Sequence, residues 1–81
     1  MSDIAATVKE YILKGFLPDE DPDELTEDVE LISGGILDSL ATLQLVAFLE
    51  ETYDITIEPH EVDEDNLDSI SLIVNFVRSK Q

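Results

Sequence analysis

The sequence predicts an all-α protein: a small antiparallel four-helix bundle of three main helices plus one short helix, with a long loop between helices 1 and 2. Three observations lead there. Apolar residues recur at three- and four-residue spacing in three separate segments. The one β-branched run, Asp54-Ile55-Thr56-Ile57, has no second strand to pair with and reads as an extended connector closed by Pro59. Finally, 81 residues of which 43% are hydrophobic are enough for one modest core, so residues 1–81 read as a single domain.

Residues 3–14 form the first predicted helix. Ile4, Val8, Tyr11 and Ile12 share its inner face, while Lys9, Glu10 and Lys14 turn outward. Ser2 or Asp3 suits its N-cap, and Gly15 suits a left-handed position just past its end. Phe16 and Leu17 should fold back onto the core. Residues 18–38 read as a long loop, with Pro18 and Pro22 breaking any helix. Eight of the twelve residues from Asp19 to Glu30 are acidic. Leu25, Val29, Leu31 and Ile32 are the residues able to pin this loop, and a Ser33-Gly34-Gly35 turn brings Ile36-Leu37 to the next helix.

Residues 39–53 give the strongest helical pattern. Leu43, Val46, Ala47, Leu49 and Tyr53 form its expected apolar face, widened by Leu40, Leu45 and Phe48, with Glu50 and Glu51 on a wet side. Residues 60–66 read as a short helical turn with Val62 inward. Ser69 should cap a last helix in which Ile70, Ile73, Val74 and Val77 share a face, widened by Leu72 and Phe76. Arg78 and Lys80 fall in its last turn, where cations complement the helix dipole.

Composition narrows the function. Twenty acidic residues against four basic ones leave a net charge of −16, which disfavours nucleic acid and anionic membranes and speeds encounter with basic protein surfaces. There is no cysteine, hence no disulfide, thiolate zinc site or cysteine nucleophile. No apolar run is long enough to span a membrane, and the N-terminus lacks the pattern of a signal peptide. A cytoplasmic protein is expected. The single histidine, His60, reads as a surface residue beside a proline, and protonating it would loosen the short turn at acid pH.

The chemically conspicuous segment is Gly35-Ile36-Leu37-Asp38-Ser39-Leu40. It places Ser39 where a helix begins, amid unpaired backbone N–H groups and a positive dipole end, a favourable setting for a phosphate ester. Position alone favours a plain N-cap serine, the commonest reason for Ser there. The wider pattern resembles the acyl carrier protein family, the phosphopantetheine-bearing carriers of fatty-acid, polyketide and nonribosomal-peptide synthesis. The resemblance spans nearly the whole chain: the first amphipathic helix, the acidic loop anchored by Leu31, Gly-Ile-Leu-Asp-Ser-Leu, the helix after it, Ile57-Glu58-Pro59, and Asn66-Leu67-Asp68-Ser69-Ile70.

That resemblance implies a non-catalytic carrier. Ser39 would be esterified by 4′-phosphopantetheine from coenzyme A, installed by a separate phosphopantetheinyl transferase. The arm's thiol would hold an acyl or aminoacyl group as a thioester and present it to successive enzymes. Asp38, Leu40, Ala47, Glu50 and Glu51 would form the surface that partners recognise. Leu43, Val46 and Val62 would lie near the arm or a sheltered acyl chain, core packing being the alternative for each. Ala41 and Gln44 stand where fatty-acid carriers usually have acidic residues. The run from Leu37 to Leu45 is more similar to D-alanyl and stand-alone aminoacyl carriers, which implies loading by an adenylate-forming ligase, an acyltransferase being the alternative, with downstream synthases as further partners. A monomer is expected.

Two rivals stand beside this reading. One is a helical adaptor with no covalent group, in which Ser39 only caps. The other is calcium binding by the Asp19–Glu30 loop, where Asp19, Asp21, Asp23 and Glu30 occupy positions 1, 3, 5 and 12 of an EF-hand-like loop. Against it, Glu24 stands at the turn position that needs glycine, Pro22 stiffens the loop, Thr26 replaces an apolar residue, and Gly15 and Pro18 interrupt the entering helix. With no second histidine, a transition-metal site is not expected either.

Overall fold

A computed structural model describes residues 4–19 and 21–81. Among them the chain is all-helical. Helix α1 spans Ile4–Phe16, α2 Ser39–Tyr53, α3 Glu64–Leu67 and α4 Ile70–Lys80, with 3-10 turns at Pro22–Glu24 and Pro59–Glu61. The body measures 31 × 30 × 19 Å. Helix α4 packs on both α1 and α3.

Ile4, Val8 and Ile12 line the buried face of α1 as expected, while Tyr11 is half-buried. The expected caps Ser2 and Asp3 lie outside the described residues. Gly15 is not a left-handed terminator. It lies within the helix, which continues to Phe16, and the Phe16 ring packs edge-on against Tyr11, with centroids 5.8 Å apart. The Leu17 N–H then donates to the carbonyls of Ile12 and Leu13. Tyr11 also stacks on Phe48 at 4.1 Å, joining α1 to α2.

The acidic loop is pinned by buried Leu25 and Leu31, with Val29 and Ile32 half-buried against the same core. Pro22, expected only to break helices, instead opens a 3-10 turn, since a first helical residue has no need of its N–H. The Ser71 N–H donates to the Glu27 carbonyl, tying the loop to α4.

Helix α2 has the expected boundaries but a rotated inner face. Ala41, Thr42, Leu45, Val46 and Leu49 are buried, whereas Leu40 and Leu43 are 65% and 59% exposed and Ala47 is exposed. With apolar residues nearly all round the helix, periodicity alone could not choose the face. Asp54 ends α2 in the left-handed conformation (φ 54°), and the connector after it buries Ile57.

The expected single turn over 60–66 is split. A 3-10 turn ends at Val62, and α3 begins after Asp63, whose carboxylate accepts the Asn66 N–H. Two caps in succession force the break. Val62 is half-buried against the core. Ser69 caps α4 as predicted, accepting the Leu72 N–H at 3.1 Å. Ile70, Ile73, Phe76 and Val77 are its buried residues.

Candidate functional site

Ser39 is the first residue of α2, and the residue that caps the helix is Asp38. Asp38 is extended, and its carboxylate accepts the Ala41 N–H at 2.8 Å. Its carbonyl accepts the Thr42 N–H at 2.9 Å and the Thr42 hydroxyl at 2.8 Å. An N-cap role for Ser39 is therefore excluded, because the aspartate already reaches the amide such a serine would satisfy. The Ser39 side chain is exposed, and its hydroxyl has no hydrogen-bond partner among the described residues. The amides of Ser39 and Leu40 also point out of the first turn without a partner there. An exposed, unbonded hydroxyl beside open amides at a positive dipole end is what a phosphodiester needs.

The segment leading to Ser39 is held from below. Leu31 and Leu37 are buried, and the Leu37 N–H donates to the Leu31 carbonyl at 2.8 Å. Between them the Gly35 N–H closes a turn on the Ile32 carbonyl at 3.1 Å, with Gly35 at φ 83°, where L side chains are strained. The junction of α3 and α4 fixes this arch. One oxygen of the Asp68 carboxylate accepts the N–H groups of Ile32 (2.8 Å) and Ser33 (2.9 Å). The other accepts the Ser33 hydroxyl at 2.7 Å, and the Asp68 carbonyl accepts the Leu31 N–H.

The Ser33 backbone and hydroxyl bonds hold the Asp68 carboxyl below the usual aspartate range, aided by Ile32 and opposed by desolvation. Sequence reasoning missed Asp68. It appeared only as part of the segment opening α4, and no local pattern reports a partner 36 residues away.

An open groove of about 600 Å³ runs beside Ser39, walled by Ile32, Leu37, Leu43 and Val62 and rimmed by Asp63 and Glu64. The Val62 wall is braced from several directions. The Glu61 carboxylate accepts the Glu58 N–H at 2.9 Å, the Asn66 side-chain amide donates to the Glu61 carbonyl at 2.9 Å, and Lys80 pairs with the Glu61 carboxylate. The bond from Lys80 and that from the Glu58 N–H hold Glu61 below its ordinary value.

The sequence-predicted residues divide three ways. Leu40, Ala47 and Glu51 are exposed and share one helical strip with Leu43, and Asp38 is exposed at its top. Glu50 lies on the same side of α2, seven residues on from Leu43 and three from Ala47, but is half-buried, its carboxylate accepting the Ile57 N–H at 2.8 Å. Val46 belongs to the core, whereas Leu43 and Val62 do line the groove. In the acidic loop, Asp21 turns a carboxylate oxygen back onto the Asp23 N–H. No group of three or more potential ligands among the described residues is placed to hold a metal ion.

Comparison with known proteins agrees with this geometry. The family model described as "phosphopantetheine attachment site" matches residues 12–77, and the chain belongs to that family: it is a carrier bearing covalently attached 4′-phosphopantetheine. Among curated relatives, a D-alanyl carrier protein of Streptococcus pyogenes is 33% identical over 78 residues, covering 96% of this chain and 95% of that protein. A D-alanyl carrier protein of Lactobacillus delbrueckii subsp. bulgaricus is 37% identical over 54 residues, 67% of this chain and 68% of the relative. Carriers of this family work with phosphopantetheinyl transferases and ligases and are generally not catalysts themselves.

Proposed function

We propose that Ser39 is the residue esterified by 4′-phosphopantetheine, and that the chain is an aminoacyl carrier of the D-alanyl kind. The observation that carries this is the division of labour at the start of α2. Asp38 does the capping, so the Ser39 hydroxyl is left exposed and uncommitted beside two open amides. The groove wall of Ile32, Leu37, Leu43 and Val62 suits the apolar part of the arm, and the open amides suit its phosphate. When bound, the group supplies a terminal thiol on which cargo is held as a thioester. The protein's own part is presentation, without a catalytic group of its own.

Both relatives named above are D-alanyl carriers, and the uncharged positions 41 and 44 fit the same class. An adenylate-forming ligase is then the loading enzyme. Partners dock on the strip of Leu40, Leu43, Ala47 and Glu51 with Asp38 at its head, an apolar centre in an acidic field. Residues 1–81 act as one carrier domain, monomeric and cytoplasmic, in the compartment that supplies coenzyme A and ATP.

The test is direct. Apoprotein incubated with coenzyme A, magnesium and a broad-specificity phosphopantetheinyl transferase gains one phosphopantetheine by intact mass, localised to Ser39, and Ser39→Ala stays folded and gains none. Modification at another residue, or none, removes the proposal. An adenylate-forming D-alanine ligase then charges the holoprotein, and charging instead by fatty acyl donors would move it to another carrier class.

A further inference from the structure

We propose that Asp68 is a positioning residue for the covalent modification of Ser39, acting through the arch of backbone that delivers α2; this rests on Ser39 being the attachment site. The hydrogen bonds form a continuous chain. The Asp68 carboxylate holds the Ile32 and Ser33 N–H groups and the Ser33 hydroxyl, and its carbonyl holds Leu31. From Leu31 a bond runs to Leu37, and from Ile32 another closes the turn at Gly35. Asp38 and Ser39 follow at once.

The arch therefore has two feet. One is the burial of Leu31 and Leu37 in the core, which sets depth. The other is Asp68, which fixes the rotation of the 31–33 backbone, because two adjacent amides converge on one oxygen. Burial alone leaves that rotation free, since apolar contact is non-directional, whereas charge-assisted hydrogen bonds are short and directional. The same oxygens lie on the segment that joins α3 to α4, so one carboxylate ties the end of α3, whose first residue Glu64 rims the groove, to the loop carrying Ser39. A transferase must meet the hydroxyl in one orientation, and a small misplacement of a reacting atom is costly in rate.

The experiment measures transferase kinetics on the full-length apoproteins of wild type, Asp68→Ala, Asp68→Asn, Ser33→Ala and the control Val77→Ala, each well below its melting temperature. Val77 is buried in α4 and makes no bond to the arch, so its variant reports lost stability alone. Expected are a fall in kcat of about tenfold for Asp68→Ala with KM little changed, and substantial recovery in Asp68→Asn, whose remaining carbonyl oxygen still accepts both amides. Ser33→Ala, lacking only the hydroxyl bond, falls about two- to threefold by the same reasoning, and the control keeps the wild-type kcat.

Wild-type kcat in folded Asp68→Ala, or an equal loss in Val77→Ala, overturns the proposal. Should Asp68→Ala fail to fold, Ser33→Ala decides: a wild-type kcat there overturns it too. Failure of the wild type itself to be modified at Ser39 strikes instead at the attachment assignment, so the two claims fail separately.

Discussion

The Glu50 carboxylate accepts the Ile57 backbone N–H at 2.8 Å, joining the last turns of α2 to the connector seven residues on. The Glu50 carbonyl is used as well, accepting the N–H groups of Asp54 and Ile55. One residue thus satisfies three donors where the chain reverses, and it lets Ile57 enter the core without an orphaned amide. Glu51, its neighbour, is exposed and makes no such bond.

Glu50→Ala should consequently destabilise the protein by about 1–2 kcal/mol, the cost of leaving a half-buried amide unpaired. Glu51→Ala should leave stability within about 0.5 kcal/mol of wild type and slow association with a basic partner at low salt. Urea denaturation separates the two. Equal midpoints for both variants would show that the bond to Ile57 contributes nothing.

At the other end of α2, Asp38→Ala removes the acceptor for the Ala41 N–H and a negative charge at the positive end of the helix dipole. The expected loss is about 1 kcal/mol, a fall in melting temperature of roughly 4–8 °C for a chain of this size. Asp38→Asn keeps a capping oxygen and should recover most of it. Circular dichroism melts of the three proteins check the order, and an Asp38→Ala melt matching wild type would mean another group caps α2.

How far the sequence disclosed the fold depended on how local each determinant is. The α2 boundaries, the Ser69 cap and the pinning leucines are written in short-range pattern, and the structure places them as read. The α2 face was misread because Leu40, Leu43, Leu45 and Phe48 offer apolar surface all round. Burial there is decided by partners on other helices, which no heptad count contains. Gly15 is not the terminator because α1 runs on to Phe16, whose ring meets Tyr11, a contact that the spacing of apolar residues does not report. At the site, the place of Ser39 at the start of α2 was legible from its segment. That Asp38 rather than Ser39 caps was not, since both residue types are good caps and lie side by side. The clamp by Asp68 was invisible for the same reason as most long-range hydrogen bonds: each partner looks ordinary in its own segment.

The depressed ionisation of Asp68 predicts a pH dependence of determinate sign. Its folded-state value lies below its unfolded one, chiefly through the Ser33 bonds. The stability it contributes is therefore fully present above the ordinary aspartate value near pH 4 and is lost as pH falls through the folded value. Protonating the remaining carboxylates relieves the self-repulsion of a chain at −16, an effect of opposite sign. Asp68→Asn cancels only the first effect. The stability difference between wild type and Asp68→Asn should be constant from pH 7 to about 5 and shrink below about 4. A difference independent of pH down to 2 would show that the charge of Asp68 is not what the loop amides sense.

Two leucines two positions apart on α2 give the sharpest contrast. Leu45 is fully buried, whereas Leu43 is 59% exposed and walls the groove beside Ser39. Leu45→Ala leaves a cavity and should cost about 2–5 kcal/mol, a large part of the roughly 5–15 kcal/mol that holds a typical protein folded. Leu43→Ala removes little buried surface and should leave the urea midpoint unchanged. Its effect belongs to the encounter instead: with the apolar centre of the strip gone, KM for the transferase and for the loading ligase should rise severalfold while kcat holds, since the lost contact is made equally before and during reaction. Stability and loading kinetics measured on both variants form a two-by-two test, and a Leu43→Ala protein that is destabilised but loads normally would assign that residue to packing and move the docking strip off α2.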